Sequence, residues 1–301
     1  MKIGIDLGGS HVGVGIVDKD KIINVKDKNF TQEDRNDIKN VIINAILEYI
    51  DELLVEQKLS KDQIELIGIA SPGIISKNEI VKATNLGIYH FYLPQILEEK
   101  LGIKTQIRND AKCAGLAEVK YGALKEYNDS IFLCLGTGIG GAAFLNKKML
   151  EPSGYAGFEF GHMVIEKDGR PCSCGKKGCF ETYASIRVFK KQVCDALKIK
   201  DNISGQELRK LLSENSENKK VQAEVENFLH SLKIGIGNLI DIFEPQAICF
   251  GGSFSYYENN PVLEKLVNKI NENDSTFTVS KKPDVVLAKY KNNAGIIGAT
   301  L

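Results

Sequence analysis

The sequence concentrates metal-ligand chemistry in one place: His162, then Cys172-Ser173-Cys174-Gly175, then Gly178-Cys179-Phe180-Glu181. One imidazole and three thiols satisfy a tetrahedral zinc ion and leave no coordination position open, so the ion they point to is structural and activates no water. The competing readings are a redox dithiol or buried free thiols, although Cys-x-Cys is shorter than the usual redox spacing. A loop held by metal also holds its flanks. Glu159 and His162 on one side and Glu181 on the other become groups that can accept hydrogen bonds from several ligand hydroxyls.

A second constellation, Arg108-Asn109-Asp110, ends the run Lys104–Ile107. Asn109 supplies an amide for hydroxyl recognition. Asp110 supplies a carboxylate that can accept a proton from an attacking hydroxyl, the one covalent service that phosphoryl transfer asks of a side chain. An isolated Asp before the Ala-rich stretch that follows would ordinarily be a helix N-cap, and the two roles are compatible. Three glycine turns complete the set. Asp6-Leu7-Gly8-Gly9-Ser10 offers backbone N–H groups to an anion, with a carboxylate able to hold Mg²⁺ directly or through water. Gly136-Thr137-Gly138-Ile139-Gly140-Gly141 is denser in glycine and is followed by a strand pattern, unlike a dinucleotide fingerprint. Gly251-Gly252-Ser253 ends an apolar run, where an adenine or ribose can lie against backbone.

The elements that must carry these residues alternate. Residues 2–7, HVGVGIVD and KIINV read as a β-meander, and Thr31–Asp34 reads as an N-cap before Ile38, Val41, Ile42, Ala45, Tyr49 and Leu53 at helical spacing. IELIGIA ends abruptly in Ser71-Pro72-Gly73; SIFLCL, AICFGG and DVVLAKY are further strands among helical stretches, and NSENKK is an exposed helix connection. This alternation predicts an α/β protein. Strand, glycine turn and strand occur at residues 3–17 and again at 131–145, an echo suggesting two related halves.

Composition sets the outer limits. The 301 residues hold 39 Lys plus Arg and 39 Asp plus Glu, a balance that favours neither nucleic acid nor an anionic membrane and suits a small neutral substrate. No run approaches the ~20 apolar residues of a membrane span, and no signal-peptide pattern opens the chain, so a cytoplasmic protein is expected. Seven cysteines, an odd number, do not make a disulfide scaffold.

Taken in order, Asp6-x-Gly-Gly-Ser, Asn109-Asp110, Gly136-Thr-Gly-x-Gly-Gly, Glu159-x-Gly-His162 and Cys172-x-Cys-Gly-x-x-Gly-Cys179-x-Glu181 resemble the ROK family of sugar kinases and repressors over nearly the whole chain. The resemblance implies an actin-like fold of two α/β lobes around a cleft, with residues 1–115 plus 290–301 as the smaller lobe and 116–289 as the larger, zinc-bearing one. It implies ATP-dependent phosphorylation of a free hexose, glucose first, with fructokinase and N-acetylhexosamine kinase as the nearest alternatives. Asp110 resembles the catalytic base. Asn85, Asn109, Glu159, His162 and Glu181 resemble sugar contacts, and His162, Cys172, Cys174 and Cys179 the zinc ligands. Gly8, Gly9, Ser10, Gly136, Thr137, Gly138, Gly140, Gly141, Gly251 and Gly252 resemble the nucleotide loops, with Asp6 near Mg²⁺. A homodimer is common in the family. Its repressors carry an added DNA-reading segment, for which a first strand starting at Lys2 leaves no room, so no nucleic-acid partner is expected. Several positions depart from the family pattern: Ser10-His11 stands where Thr-Lys is usual, Lys112 where Asn often follows, and Phe158 where Gly commonly precedes the sugar-binding Glu.

Overall fold

The computed structural model describes residues 1–152, 157–272 and 282–301. The chain divides into two compact units, Met1–Gly122 with Glu151–Gly157 and Asn292–Leu301, and Ala123–Leu150 with Phe158–Lys291.

The first unit opens with β1 (Lys2–Leu7), β2 (His11–Asp18) and β3 (Lys21–Asn29), the expected meander. The helix α1 (Ile38–Glu56) buries Ile42, Ile46, Ile50 and Leu53 on the stripe that period 3.6 demands, with Val41 and Tyr49 half-buried on its shoulders. Thr31 and Asp34 do form a reciprocal box: each backbone N–H donates to the other's side-chain oxygen, at 2.8 and 3.2 Å. It opens a short 3-10 turn, Asp34–Asp37, ahead of α1. Then come β4 (Ile67–Ser71), a small antiparallel sheet of β5 (Ile74–Ile75), β6 (Ile80–Ala83) and β7 (Ile88–Phe91), the helix α2 (Leu93–Leu101), β8 (Thr105–Asn109) and α3 (Asp110–Tyr121). The main sheet runs β3-β2-β1-β4-β8, antiparallel on the meander side and parallel from β1 to β8.

The second unit contains β9 (Ser130–Leu135), β10 (Ile139–Leu145), β11 (Lys148–Met149), α4 (Glu181–Ala184), α5 (Ile186–Leu197), α6 (Gly205–Glu214), α7 (Lys219–Phe243), β12 (Ala247–Gly252), α8 (Pro261–Asn271) and β13 (Asp284–Leu287). Its sheet runs β11-β10-β9-β12-β13 with the same succession of antiparallel and parallel pairs as the first. The sequence echo is therefore an echo of topology. Phe189 of α5 and Phe228 of α7 stack at 4.2 Å between ring centroids, in a core that also takes in Leu133, Phe250 and Phe254. Among the described residues no helix is long and apolar enough to cross a membrane.

The final helix, α9 (Ala294–Ala299), belongs to the first unit. Lys2 and Gln106 donate to the carbonyls of Thr300 and Ala299 at 2.8 and 2.9 Å. Glycine makes the packing possible, because a Cβ on Gly68 of β4 would overlap the Ala299 carbonyl and one on Gly298 would overlap that of Cys113. Neither obstacle is a flexible side chain. Gly68→Ala is accordingly expected to cost about 1–3 kcal/mol through overpacking, read as a lowered midpoint in urea; an unchanged midpoint would mean that α9 is not held against β4.

Candidate functional site

Each unit gathers its own set of polar groups at strand ends. In the first unit β4 and β8 run in parallel with Ser71 opposite Asn109, so both chains leave the sheet at the same edge. There Asn109 caps α3, its Oδ1 accepting from Ala111 N and Lys112 N at 3.1 and 3.3 Å, while its Nδ2 donates to Gly73 O at 3.3 Å. The capping duty thus falls to Asn109. Asp110 is the first helical residue, and its Oδ1 accepts from Ala111 N at 2.7 Å. Lys112 donates from Nζ to Gly157 O at 3.2 Å.

Asn85 lies in the exposed turn between β6 and β7. Its neighbour is the first glycine turn: a Cβ on Gly9 would come 3.2 Å from Asn85 Cβ. One residue that sequence reasoning missed joins the two. Arg35 donates from Nη1 to Asn85 O at 3.0 Å and from Nη2 to Gly9 O at 2.9 Å. A lone arginine in a charged stretch carries no motif, and only the folded chain brings it to both carbonyls. In the same turn Ser10 is exposed, and the His11 imidazole folds against Gly8.

Asp6 is partly exposed on β1, with Gly295 against its carboxyl group. Burial pushes its pKa up to about 6. No hydrogen-bond donor or cation among the described residues is paired with it, and an acid in such surroundings suits a cation such as Mg²⁺ held directly or through water.

In the second unit the parallel pairing of β9 and β12 sets Gly252 opposite Leu135, which brings two glycine turns to one sheet edge. Gly136, Thr137 and Gly138 form the open part, closed by Gly136 N donating to Gly138 O at 3.0 Å. Gly140 and Gly141 are already in β10, and Gly141 leaves room for the Phe160 ring and the Phe132 carbonyl. Gly251 similarly leaves room for the Phe132 ring, whereas Gly252 turns the chain with φ +62°.

The cysteine segment folds into a knuckle pinned by Ile165 N to Gly178 O at 2.9 Å, Cys172 N to Lys176 O at 2.9 Å and Phe180 N to Met163 O at 2.8 Å. One ligand atom from each of His162, Cys172, Cys174 and Cys179 lies within 4.8 Å of all the others. Cys174 Sγ and Cys179 Sγ are 3.6 Å apart, as are Cys172 Sγ and His162 Nδ1. Zinc bonds of about 2.0–2.3 Å place tetrahedral donors roughly 3.3–3.8 Å apart, so the four fit that ion. Burial holds the Cys172 thiol up, to about 12, in the absence of metal, and coordination would remove its proton. Glu181 adjoins this group, with Oε1 3.2 Å from Cys172 Sγ and 3.7 Å from His162 Nδ1. Glu159 starts the 3-10 turn that ends at His162, and His162 N donates to its carbonyl at 3.0 Å. Glu181 is thereby placed beside the His162 ring, and Glu159 adjoins His162 through its backbone. Phe158 has φ +58°, a left-handed conformation that a bulky side chain adopts at a cost, offset here by edge-to-face contact with Phe160 at 6.5 Å.

A family model described as the ROK family matches residues 2–301. The xylose repressor of Bacillus spizizenii is 31% identical over 265 residues, 87% of this chain and 66% of the repressor. The glucokinase of Thermotoga maritima is 28% identical over 316 residues, 99% of this chain and 95% of that enzyme. A ROK hexokinase from Thermus thermophilus has a structure similar at a TM-score of 0.82 and 25% identity, covering 99% of this chain and 96% of that one.

Two expectations follow from the geometry. Cys174→Ser should lower bound zinc, measured by mass spectrometry of the metal, together with the melting temperature; a zinc-free variant of undiminished stability would sink the structural-metal assignment. Asp6 has a pKa raised in the fold, so the stability it contributes is full below about pH 4 and is lost as pH rises through about 6. Asp6→Asn in magnesium-free buffer should therefore match the parent near pH 4 and exceed it by about 3 kcal/mol at pH 8. Urea melts at the two pH values test this, and a constant difference would show that Asp6 is not desolvated.

Proposed function

The chain belongs to the ROK family, with the actin-like α/β fold of its kinases, and from that premise we propose that it is an ATP-dependent kinase of a free hexose, glucose first. The observation that carries the reading is the paired glycine turns of the second unit, Gly136–Gly138 and Gly252, at one sheet edge. A nucleotide's phosphates need exposed N–H groups and its base and ribose need bare backbone, which turns of this composition can supply.

In this reading Asp110 takes the proton of the sugar hydroxyl as its oxygen attacks the γ-phosphorus, and the P–O bond to ADP breaks with the electron pair leaving on ADP. Asn85, Asn109, Glu159, His162 and Glu181 bind hydroxyl groups. With Nδ1 of His162 toward the thiols, Nε2 remains for the sugar. Gly8, Gly9, Ser10 and Thr137 contribute to phosphate binding and Asp6 to the site of Mg²⁺, which when bound neutralises phosphate charge. The zinc ligands hold the knuckle and take no part in the transfer.

A second reading, a sugar-responsive regulator without catalysis, is favoured by the identity to the xylose repressor. A coupled ADP-release assay separates the two, run with ATP, Mg²⁺ and glucose, fructose, mannose, N-acetylglucosamine or N-acetylmannosamine on zinc-replete protein. Turnover of one sugar supports the kinase and names its substrate; binding without turnover of any favours the regulator. Within the kinase reading, Asp110→Asn should bind sugar within a few-fold of the parent and lose about 10²–10⁴-fold in kcat. Near-parental kcat would remove Asp110 from the role of base.

A further inference from the structure

The glycine turn after β9 contains no charged residue, yet two charged side chains adjoin it. One is Glu181: a Cβ on Gly138 would come 2.5 Å from its Oε2. The other is Arg187, in the first turn of α5. Its backbone N donates to Gly136 O at 3.1 Å and its Nε donates to Thr137 O at 3.0 Å. Both bonds engage carbonyls, and a turn that binds an anion must have its carbonyls engaged elsewhere so that its N–H groups face the ligand. The guanidinium still has its outer fork. Among the described residues neither Nη1 nor Nη2 makes a hydrogen bond or ion pair, although this is the planar pair of donors best matched to a phosphate.

Electrostatics sharpens the case. A polyphosphate approaching Gly136–Gly138 meets the Glu181 carboxylate, whose side chain is 15% exposed and which repels it strongly for that reason. A permanent cation at the turn has to offset that repulsion. We infer that Arg187 is a phosphate-binding residue: its backbone N–H and Nε set the Gly136–Gly138 turn, and its free Nη pair contacts a phosphate of the bound nucleotide. The inference rests on reading the turn as a nucleotide site.

Calorimetric titration of the full chain with Mg²⁺-ATP and with adenosine tests it, using the parent, Arg187→Gln and Arg187→Lys. Loss of a charge-assisted pair predicts an ATP Kd about 10–100-fold higher for Arg187→Gln. Arg187→Lys keeps the charge but not the fork and should fall between. Adenosine affinity should change less than about 2-fold in both, which a merely structural role would not allow, since collapse of the turn would weaken both ligands alike. An ATP Kd for Arg187→Gln within 2-fold of the parent, or equal losses for ATP and adenosine, overturns the inference. Should Arg187→Gln fail to fold, Arg187→Lys carries the same test. A parent that binds ATP but phosphorylates no sugar refutes the kinase reading and leaves this comparison intact; a parent that binds no ATP overturns both.

Discussion

Parallel strand pairing is the constraint on which the polar groups depend. Parallel neighbours must leave a sheet at the same edge, so the register of Ser71 against Asn109 and of Gly252 against Leu135 decides which loops meet. The antiparallel pairs β1–β2 and β9–β10 then need only tight turns, and those turns are the two glycine-rich ones. A register slip by one residue would turn buried Ile69 or Leu133 to the other face of its sheet, so the hydrophobic core and the loops are specified by the same pairing.

Much of this was legible because it is local. Strands β1, β9 and β12 coincide with the apolar runs read from the sequence, and the four side chains that could hold zinc lie close along the chain, where spacing alone constrains geometry. Illegible were the bonds between distant segments. Arg35 reaches Gly9 and Asn85 only after α1 and the small sheet are packed, and no local pattern announces it. The N-cap of α3 illustrates a finer limit. Asn109 and Asp110 are both good caps by type, and the extended φ and ψ of Asn109, set by its place at the end of β8, give it the duty. Gly140 and Gly141 read as part of a loop because glycine signals turns, whereas here both lie in β10 and Gly141 serves the approach of Phe132 and Phe160.

Phe158 shows the competition between backbone and side chain most plainly. Its left-handed φ disfavours any residue with a Cβ, and its ring compensates by packing on Phe160, which in turn lies 5.8 Å from Phe243. The neighbour of Glu159 is therefore held by aromatic contacts where a glycine would have been held by nothing but its backbone.

The placement of α9 has a consequence for how the chain acquires its shape. The first unit takes its earliest strands from residues 2–29 and its last helix from residues 294–299, with the whole second unit made in between. During synthesis β1 and β4 emerge early but lack the helix that covers Gly4 and Gly68, so an apolar sheet face waits for a segment translated much later. The second unit is continuous but for a short excursion and can close first. Vectorial synthesis thus favours completion in reverse order, the first-made half settling last, and the sequence separation of those contacts makes their formation a slow step.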